Sequence, residues 1–424
     1  MTSITATIDR ASPSPTRIFW AAWAGWMLDG FDSATYGLLL VSALHELLPL
    51  SGLEASKANI ALYGGYGFSI FMLGWACAMF WGWLADRIGR VRTMCLTILA
   101  YSIFTALCGL TFGIISFMIL RFLVGFGVGG EWAAGTPLLH ESVPEQVRVR
   151  LAGWLHTATP TGIILASGVA LLIVPAFGWR GMFLVGVLPA LLAIYLRLQI
   201  PEPPRAVRPG QQGAIASLFA KGQRGVTWSA ALMIACGLLG VWSSSFWIPT
   251  VVATKFIAAG MPLAEAQQMG AYASLATNIG TLAGCFFMPW IAAGLRFRRT
   301  VGIIFFAGSL IANVAAYYGL LERLDNITLF FMVVPLLGFF TNGVFALFTV
   351  WLPELFSGAN RGAGLGFTFS LGRILAAAGP LIIGTLVART GSYPIAISLI
   401  SMIYIPGIIF VALCRETADK PLPA

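Results

Sequence analysis

Long apolar segments alternate with short polar connections along the whole chain. Most of the apolar segments reach the ~20 residues that a helix needs to cross the hydrocarbon core of a bilayer. The pattern predicts twelve membrane-spanning helices, which we number spans 1 to 12 in chain order. Their predicted ranges are 18–44, 59–84, 93–112, 114–139, 151–175, 180–198, 228–253, 267–293, 300–321, 327–352, 364–388 and 392–414. The longest polar connection, residues 201–227, separates six spans from six.

The sequences after spans 2 and 4 return in altered form after spans 8 and 10. GWLADRIGRVRTM (82–94) corresponds to PWIAAGLRFRRTV (289–301), and ESVPEQVR (141–148) corresponds to ELFSGANR (354–361). Parallel repeats of six spans are typical of one class of secondary transporter, in which the substrate site lies between the halves at mid-membrane. The repeat therefore predicts two six-helix bundles. The predicted boundaries are a tail 1–17, a first bundle 18–200, a linker 201–227, a second bundle 228–414 and a tail 415–424.

Basic residues predict the orientation of the chain in the membrane. Of the 25 Lys and Arg residues, 18 lie on the side of the two termini, 5 lie on the opposite side, and Arg121 and Arg373 lie within spans. Because loops rich in Lys and Arg stay in the cytoplasm, we expect both termini to be cytoplasmic, with the chain in the inner membrane of a bacterium. The net charge of +9 comes from short loops without a basic tract, which argues against a nucleic-acid partner.

Composition excludes several classes of protein. The chain is 58% hydrophobic and only 10% charged, whereas a soluble domain has about 25% charged residues. The six cysteines lie mostly within apolar segments and form no CxxC or metal-like cluster, so we expect neither disulfides nor a metal site. The sequence shows no nucleophile–base arrangement, and we expect neither an enzyme nor a cofactor.

The stretch WMLDGFDSATYG (26–37) places two carboxylates, Asp29 and Asp32, inside span 1. A charge near the bilayer centre costs about 2.5–3.5 kcal/mol, and such residues are usually functional. Gly25, Asp29, Asp32 and Tyr36 share one helix face, and Asp29 lies about 16 Å deep at 1.5 Å per residue. The aspartates are either a hydrogen-bonded structural pair or a site for a proton and a substrate. We favour the second interpretation because two close buried carboxylates resist full ionisation.

Spans 4 and 11 carry further charges. Arg373 lies about 14 Å from the predicted start of span 11, at a depth similar to that of Asp29. Because arginine stays protonated and binds carboxylates through two parallel hydrogen bonds, we expect Arg373 to contact the substrate or a coupling carboxylate rather than a permanent structural partner. Arg121 and Glu131 in span 4 are about 80° apart around the helix, and each either lines the cavity or braces the helix.

Several motifs resemble those of the major facilitator superfamily. GWLADRIGRVR (82–92) is similar to the signature between spans 2 and 3 of that family, RFLVGFGVGGEWAAGTPLLHE (121–141) resembles its span 4 motif, and PEPPR (201–205) resembles the element that closes the first half in sugar-porter-like branches. LDGFD in span 1 together with GGEW in span 4 is most similar to the proton symporters of organic acids, in the aromatic-acid, sialate and metabolite branches. The resemblance implies an all-α membrane protein with twelve transmembrane helices in two pseudo-symmetric six-helix bundles, functional as a monomer.

The resemblance also implies a cytoplasmic gate that holds the halves together while the outside is open. The implied gate residues are Asp86, Arg87, Arg90, Glu141, Arg148, Glu354 and Arg361. Ala293 stands where the second half would repeat Asp86, so we expect an asymmetric gate. Surface ion pairs contribute up to about 1 kcal/mol each, and several of them together can bias a two-state equilibrium.

These observations predict proton-coupled uptake of a small organic anion, an aromatic or another carboxylate, with H⁺ as the coupling ion. The predicted proton-coupling residues are Asp29, Asp32 and Glu131. The predicted substrate-binding residues are Arg373, Asp29, Asp32, Arg121, Tyr36, Tyr66, Trp247, Asn278 and Asn342. Helix packing would explain the last four of these equally well, and His156 in span 5 is either a packing residue or a proton relay. The alternatives are antiport efflux of drugs or cations, a sugar or polyol porter, and a membrane sensor.

Overall fold

The computed structural model describes residues 15–142, 154–187, 191, 215–295, 297–357 and 360–418. Helical residues occur within every one of the twelve predicted spans, and the described residues contain no β-strand. The all-α fold that the hydropathy pattern predicts is therefore confirmed.

The described residues before the linker form what we call the N-half. Its helices are Pro15–Leu50 (span 1), Lys57–Ala76 and Ala78–Ile88 (span 2), Arg90–Cys108 (span 3), Ile114–Ser142 (span 4) and Ala158–Val185 (span 5 with the beginning of span 6). Gly178 kinks the last of these helices with a φ of 65°, a value that glycine adopts without steric cost. The kink lies at the connection predicted between spans 5 and 6.

The remaining described residues form the C-half, which begins with a short 3-10 helix, Ile215–Phe219, inside the predicted linker. Its longer helices are Arg224–Ser244 and Ile248–Ala258 (span 7), Leu263–Leu295 (span 8), Arg298–Asn313 with the π-helical Val314–Arg323 (span 9), Ile327–Leu355 (span 10), Arg361–Ala376 and Ala378–Thr390 (span 11), and Tyr393–Ile400 and Tyr404–Leu413 (span 12). One-turn 3-10 segments, Ser245–Trp247 and Ser401–Ile403, join the two parts of spans 7 and 12.

Several helices extend beyond the predicted spans. The helix of span 1 covers Pro15–Leu50 rather than 18–44, because Leu47 and Leu48 continue its buried face past two polar positions. Proline is well suited to the first turn of such a helix, where its missing N–H has no intrahelical partner. Hydropathy thus marks the apolar part of a helix and not its full length.

Eight helices in the described part of the chain are long and apolar enough to cross a membrane. They correspond to spans 1, 3, 7 and 9 to 12, together with the kinked helix Ala158–Val185. Span 4 adds a shorter apolar helix over Ile114–Gly130. These helices account for most of the predicted membrane-embedded segments.

Glycines at close helix crossings determine how the N-half helices pack against each other. A Cβ added at Gly162 in span 5 would lie 1.8 Å from the backbone oxygen of Met27 in span 1, and one added at Gly30 would lie 2.3 Å from that of Thr159. In span 4, a Cβ at Gly125 would lie 2.0 Å from a backbone oxygen of span 2. Small residues allow such close approach between membrane helices. The glycines of span 4 therefore pack helices together, and spans 1 and 5 are held in direct backbone contact.

The two halves pack against each other on the side opposite the termini. A Cβ at Gly65 in span 2 would lie 2.5 Å from the backbone oxygen of Pro380 in span 11. Nearby, Gln267 Nε2 in span 8 donates a hydrogen bond of 2.5 Å to Ser42 Oγ in span 1. Spans 1 and 2 are thus held firmly against spans 8 and 11 on that side.

Candidate functional site

A cavity of about 200 Å³ lies between the N-half and the C-half. Spans 1, 2, 4 and 5 line it from one side, and spans 7, 8, 10 and 11 line it from the other. Four of the predicted substrate-binding residues lie on its wall, namely Asp29, Asn278, Asn342 and Arg373. The structure therefore brings together side chains that are far apart in the sequence.

Arg373 and Asp29 bring opposite charges to this cavity from opposite halves. Arg373 is only 3% exposed, and its guanidinium carbon lies 4.6 Å from the ring centre of Trp75 in span 2. Asp29 is close enough to interact electrostatically with Arg373. An arginine that stacks on an aromatic face keeps its hydrogen-bond donors at the edge of the guanidinium plane, where a carboxylate can bind.

Local structure explains the position of Arg373. It lies in the last turn of the helix Arg361–Ala376, next to the point where span 11 divides into two helices. The preceding Gly372 brings span 11 close to span 7, because a Cβ at this position would lie 2.9 Å from the Ile234 side chain.

The structure separates Asp32 from Asp29. Asp32 is buried inside the N-half, where the Thr105 hydroxyl donates a hydrogen bond of 2.5 Å to its Oδ1 and Arg121 interacts with it electrostatically. A step of three residues turns a helix by about 300°, so the two carboxylates leave span 1 in directions about 60° apart. Asp29 consequently lines the cavity, whereas Asp32 points toward spans 3 and 4.

Arg121 is fully buried between two aromatic rings of the N-half. Its guanidinium carbon lies 4.4 Å from the ring centre of Tyr36 and 4.6 Å from that of Phe71. Within the described part of the chain, its Nε, Nη1 and Nη2 atoms have no hydrogen-bond partner. Ring contacts and the nearby Asp32 charge therefore stabilise this guanidinium. We refer to Asp32, Tyr36, Thr105 and Arg121 as the Arg121 cluster, which does not line the cavity.

Three aromatic residues that the sequence places in the substrate site do not line the cavity. The Tyr36 hydroxyl donates a hydrogen bond of 3.1 Å to the backbone oxygen of Gly64. Trp247 is fully buried, with its ring centre 5.5 Å from that of Tyr393. Tyr66 is 39% exposed on the surface of span 2. Helix packing or surface position accounts for each of these rings.

Other cavity residues do not belong to the predicted substrate-binding set. Trp26, Trp75 and Trp242 line the cavity, and the indole Nε1 of each has no hydrogen-bond partner among the described residues. His156 also lines the cavity, with its ring centre 5.3 Å from that of Trp26. Trp26 lies three residues before Asp29 and so close to the same helix face, and helical periodicity could therefore have identified Trp26 as a cavity residue. Trp242 lies in the aromatic and polar run VWSSSFWIPT (241–250) of span 7, which is a weak sequence signal for a pocket, and no comparable signal identifies Trp75.

The predicted gate and coupling residues are only partly described. The side chains of Asp86, Arg90, Glu131 and Glu141 lie outside the described set, as does the whole of Arg148. Their roles stay predictions. Arg87 is described, and its guanidinium carbon lies 4.0 Å from the ring centre of Trp83.

Glu354 and Arg361 make contacts within the C-half. Glu354 Oε1 forms an ion pair of 3.1 Å with Arg298 Nη2, and the Thr417 hydroxyl donates to Glu354 Oε2 at 2.5 Å. Arg361 Nε donates a hydrogen bond of 3.0 Å to the backbone oxygen of Pro353. These contacts join the ends of spans 9, 10 and 11 to the segment after span 12.

That segment, the beginning of the predicted tail 415–424, is bound to the C-half through Glu416. The Glu416 carboxylate accepts hydrogen bonds from the backbone N–H groups of Arg298 (2.9 Å), Arg299 (3.0 Å), Thr417 (3.0 Å) and Ala418 (3.1 Å). Partial burial by itself raises the pKa of Glu416, but the four N–H donors outweigh it and hold the pKa below its ordinary value of 4.5.

Comparison with known proteins agrees with this architecture. Residues 22–292 match the family model of the Major Facilitator Superfamily. Two relatives come from Acinetobacter baylyi: a "Cis,cis-muconate transport protein" is 27% identical over 95% of this chain and 95% of its own, and a "Niacin transporter NiaP" is 25% identical over 96% and 95%. The xylose transporter XylE from E. coli, in a partially occluded inward open conformation, has a TM-score of 0.70 at 15% identity over 96% of this chain and 99% of its own. The XylE similarity shows the fold alone.

The family model covers more than half of the chain, and the relatives match it almost end to end. Both relatives are named as transporters of organic acids, in agreement with the resemblance that the span 1 and span 4 motifs carry, and neither is an enzyme. This chain belongs to the Major Facilitator Superfamily and is a multi-pass membrane transporter.

Proposed function

We propose that this transporter takes up a small organic anion together with a proton, by alternating access. The observation that carries the proposal is that Arg373 of the C-half and Asp29 of the N-half lie on one cavity and interact electrostatically. The carboxylate of a substrate can take the place of Asp29 beside the Arg373 guanidinium and accept two parallel hydrogen bonds from it. The indole rings of Trp26, Trp75 and Trp242 add aromatic faces to the same wall.

Substrate and proton binding are coupled through the Arg373–Asp29 pair. In the empty carrier, Asp29 balances the charge of Arg373. When a substrate carboxylate binds Arg373, Asp29 becomes a second negative charge in the same cavity. Protonation of Asp29 removes the repulsion between the two carboxylates, so the loaded carrier takes up a proton.

Asp32 offers a second position for the coupled proton. Its carboxylate is buried with Arg121, and a proton on Asp32 would leave that guanidinium without its negative partner. The interaction that joins spans 1 and 4 would weaken as a result. A proton on Asp32 would thus act on the packing of the N-half without touching the substrate. Glu131 in span 4 is the third predicted coupling residue.

The size of the cavity favours a small acid over other substrates. Its volume of about 200 Å³ is below the roughly 300–1,000 Å³ that is typical of pockets for drug-sized ligands. Relatives named for cis,cis-muconate and niacin, both small carboxylic acids, support the same class. A cationic drug would have to share the cavity with Arg373, and a neutral sugar has no carboxylate to replace Asp29. Both properties disfavour efflux of cations and transport of sugars.

The cellular setting is proposed on sequence grounds. The excess of Lys and Arg on the side of the termini, 18 against 5, supports cytoplasmic termini. Both reported relatives are bacterial, which supports a place in the inner membrane of a bacterium. We propose that the protein functions as a monomer, with H⁺ as the coupling ion and no cofactor.

Transport by purified protein in proteoliposomes tests the proposal. Labelled benzoate, nicotinate and cis,cis-muconate are offered under an inside-alkaline pH gradient and in counterflow without a gradient. At least one acid should accumulate under the gradient, and a protonophore should abolish the accumulation. Accumulation of acid that does not depend on the pH gradient would contradict proton coupling. Competition by neutral sugars that equals competition by the acids would contradict the anion assignment.

A further inference from the structure

The C-half wall of the cavity carries two amide side chains in addition to Arg373. Asn278 in span 8 and Asn342 in span 10 both line the cavity. Ser245, at the 3-10 turn of span 7, also lines it and accepts a hydrogen bond of 3.3 Å from Asn342 Nδ2. These groups are polar but uncharged, so they are suited to a neutral part of the substrate.

Hydrogen bonds determine which end of each amide contacts the protein. Asn278 Nδ2 donates a hydrogen bond of 2.9 Å to the backbone oxygen of Ser274, which can only accept. Asn342 Nδ2 donates at 3.1 Å to Thr341 Oγ1. The Thr341 hydroxyl gives its own proton to the backbone oxygen of Leu337 at 2.7 Å, so its oxygen acts as the acceptor toward Asn342. The nitrogen ends of both amides are therefore used by the protein.

The oxygen ends of the two amides remain available to a ligand. No described residue donates a hydrogen bond to Asn278 Oδ1 or Asn342 Oδ1, and neither atom is enclosed by protein. Asn313 in span 9 provides a contrast, because it makes the same type of bond to the backbone oxygen of Ser309 at 2.8 Å but its Oδ1 is enclosed and it does not line the cavity. The cavity therefore has two hydrogen-bond acceptors on its C-half wall.

Aromatic rings flank these acceptors and the charged pair. Phe345 lies one turn after Asn342, Phe369 lies one turn before Arg373, and Trp242 lies one turn before the 3-10 segment of span 7. All three aromatic residues line the cavity. Flat apolar walls of this kind favour a planar ring or a conjugated chain, which can stack on them.

We propose that the substrate carries a hydrogen-bond donor, such as a hydroxyl group, apart from its carboxylate, on a small planar skeleton. The inference rests on the proposed function: Arg373 binds the carboxylate, and Asn278 Oδ1 or Asn342 Oδ1 accepts the hydrogen bond of the donor. A second ionised carboxylate at the same position would bring its negative charge against the two acceptor oxygens. An acid without a donor would leave unpaired the amide oxygen that a hydroxyl would satisfy when the cavity closes, which weakens its binding.

Matched pairs of acids test this inference in proteoliposome counterflow. The probes are 4-hydroxybenzoate, benzoate and terephthalate, which carry a hydroxyl, a hydrogen and a second carboxylate at the same ring position. We expect the apparent KM for 4-hydroxybenzoate to be about tenfold lower than that for benzoate, since one buried hydrogen bond has about this effect. Terephthalate should bind most weakly of the three.

Variants assign the effect to the two amides. In the variant that removes the accepting amide, Asn342→Leu or Asn278→Leu, the KM ratio of benzoate to 4-hydroxybenzoate should fall toward one. A monodisperse size-exclusion profile and a wild-type Tm show that each variant is folded. Asn342→Ser restores an acceptor oxygen and should restore part of the preference. Asn313→Leu removes the same type of side chain outside the cavity and should leave the ratio unchanged.

The possible failures are distinguishable. Equal transport of 4-hydroxybenzoate and benzoate by the wild-type protein would overturn the inference and leave anion uptake intact. An unchanged ratio in both Asn278→Leu and Asn342→Leu would also overturn it. Absence of counterflow with every acid would refute the proposed function itself.

Discussion

Replacing Arg373 by lysine separates charge from geometry in substrate binding. Lysine keeps the positive charge, but it presents a compact ammonium in place of the planar fork that holds a carboxylate through two parallel hydrogen bonds. The side chain would also lose the geometry that stacks the guanidinium 4.6 Å from the Trp75 ring centre. We therefore expect Arg373→Lys to reach the membrane and to bind acids much more weakly.

The size of the effect follows from these contacts. The Trp75 contact exists in the empty carrier, so it positions the guanidinium and does not itself add to substrate affinity. A hydrogen bond to a charged group contributes about 1.5–3 kcal/mol, and lysine loses one of the two that hold the substrate carboxylate. Since about 1.4 kcal/mol is tenfold in affinity, the apparent KM should rise at least ~10-fold.

The assay is counterflow of the acid that the wild-type protein transports best, at a fixed pH on both sides. Arg389→Lys is the matched control, because Arg389 is exposed in the same span and does not line the cavity. It should retain the wild-type KM. Wild-type affinity in Arg373→Lys would refute two-pronged carboxylate recognition by this residue.

Three other variants examine packing, the C-terminal contact and the gate. Gly162→Val places a Cβ 1.8 Å from the Met27 backbone oxygen and should lower the Tm sharply. The control Gly168→Val has nothing within 4 Å of the added Cβ and should leave the Tm near the wild-type value. Equal Tm values for the two variants would contradict the packing argument. The folded-state pKa of Glu416 lies below 4.5, so its stabilisation is present above that pH and is lost as the pH falls through the lower value. Glu416→Gln should therefore lower the Tm at neutral pH by an amount that shrinks on acidification, and a pH-independent difference would count against this assignment. Asp86→Asn should shift the resting population toward inward-open, read from the labelling of engineered cysteines on each side of the cavity, and unchanged labelling on both sides would exclude a gating role.

Hydropathy and depth were sufficient to predict most of the helices and to place the span 1 carboxylates at the depth of Arg373. A rise of 1.5 Å per residue places Asp29 and Arg373 at a similar depth, and the repeat of six spans places the site between the halves. The structure accordingly puts both side chains on the wall of one cavity. Depth depends only on distance along the chain, which the sequence contains.

The direction in which a side chain leaves its helix is harder to predict. Asp32 follows Asp29 by three residues, yet it belongs to the Arg121 cluster because spans 3 and 4 supply Thr105 and Arg121 on that side. Trp242 and Trp247 belong to one aromatic run, but only Trp242 lines the cavity. The 3-10 turn at Ser245–Trp247 interrupts the helical phase between them, and periodicity does not reveal such a break.

Proton and acid fluxes, recorded together in proteoliposomes containing Asp29→Asn or Asp32→Asn, test the coupling of anion uptake to a proton most directly. Asparagine keeps the shape and the hydrogen bonding of aspartate but cannot carry the coupled proton. Because Asp29 lines the cavity and Asp32 does not, only Asp29→Asn should alter the apparent KM for the acid. The variant that lacks the proton-carrying aspartate should still exchange acid in counterflow. Under a pH gradient it should neither accumulate acid nor move protons together with the acid. Wild-type accumulation with wild-type proton flux in both variants would contradict the proposal that a span 1 aspartate couples acid uptake to proton uptake.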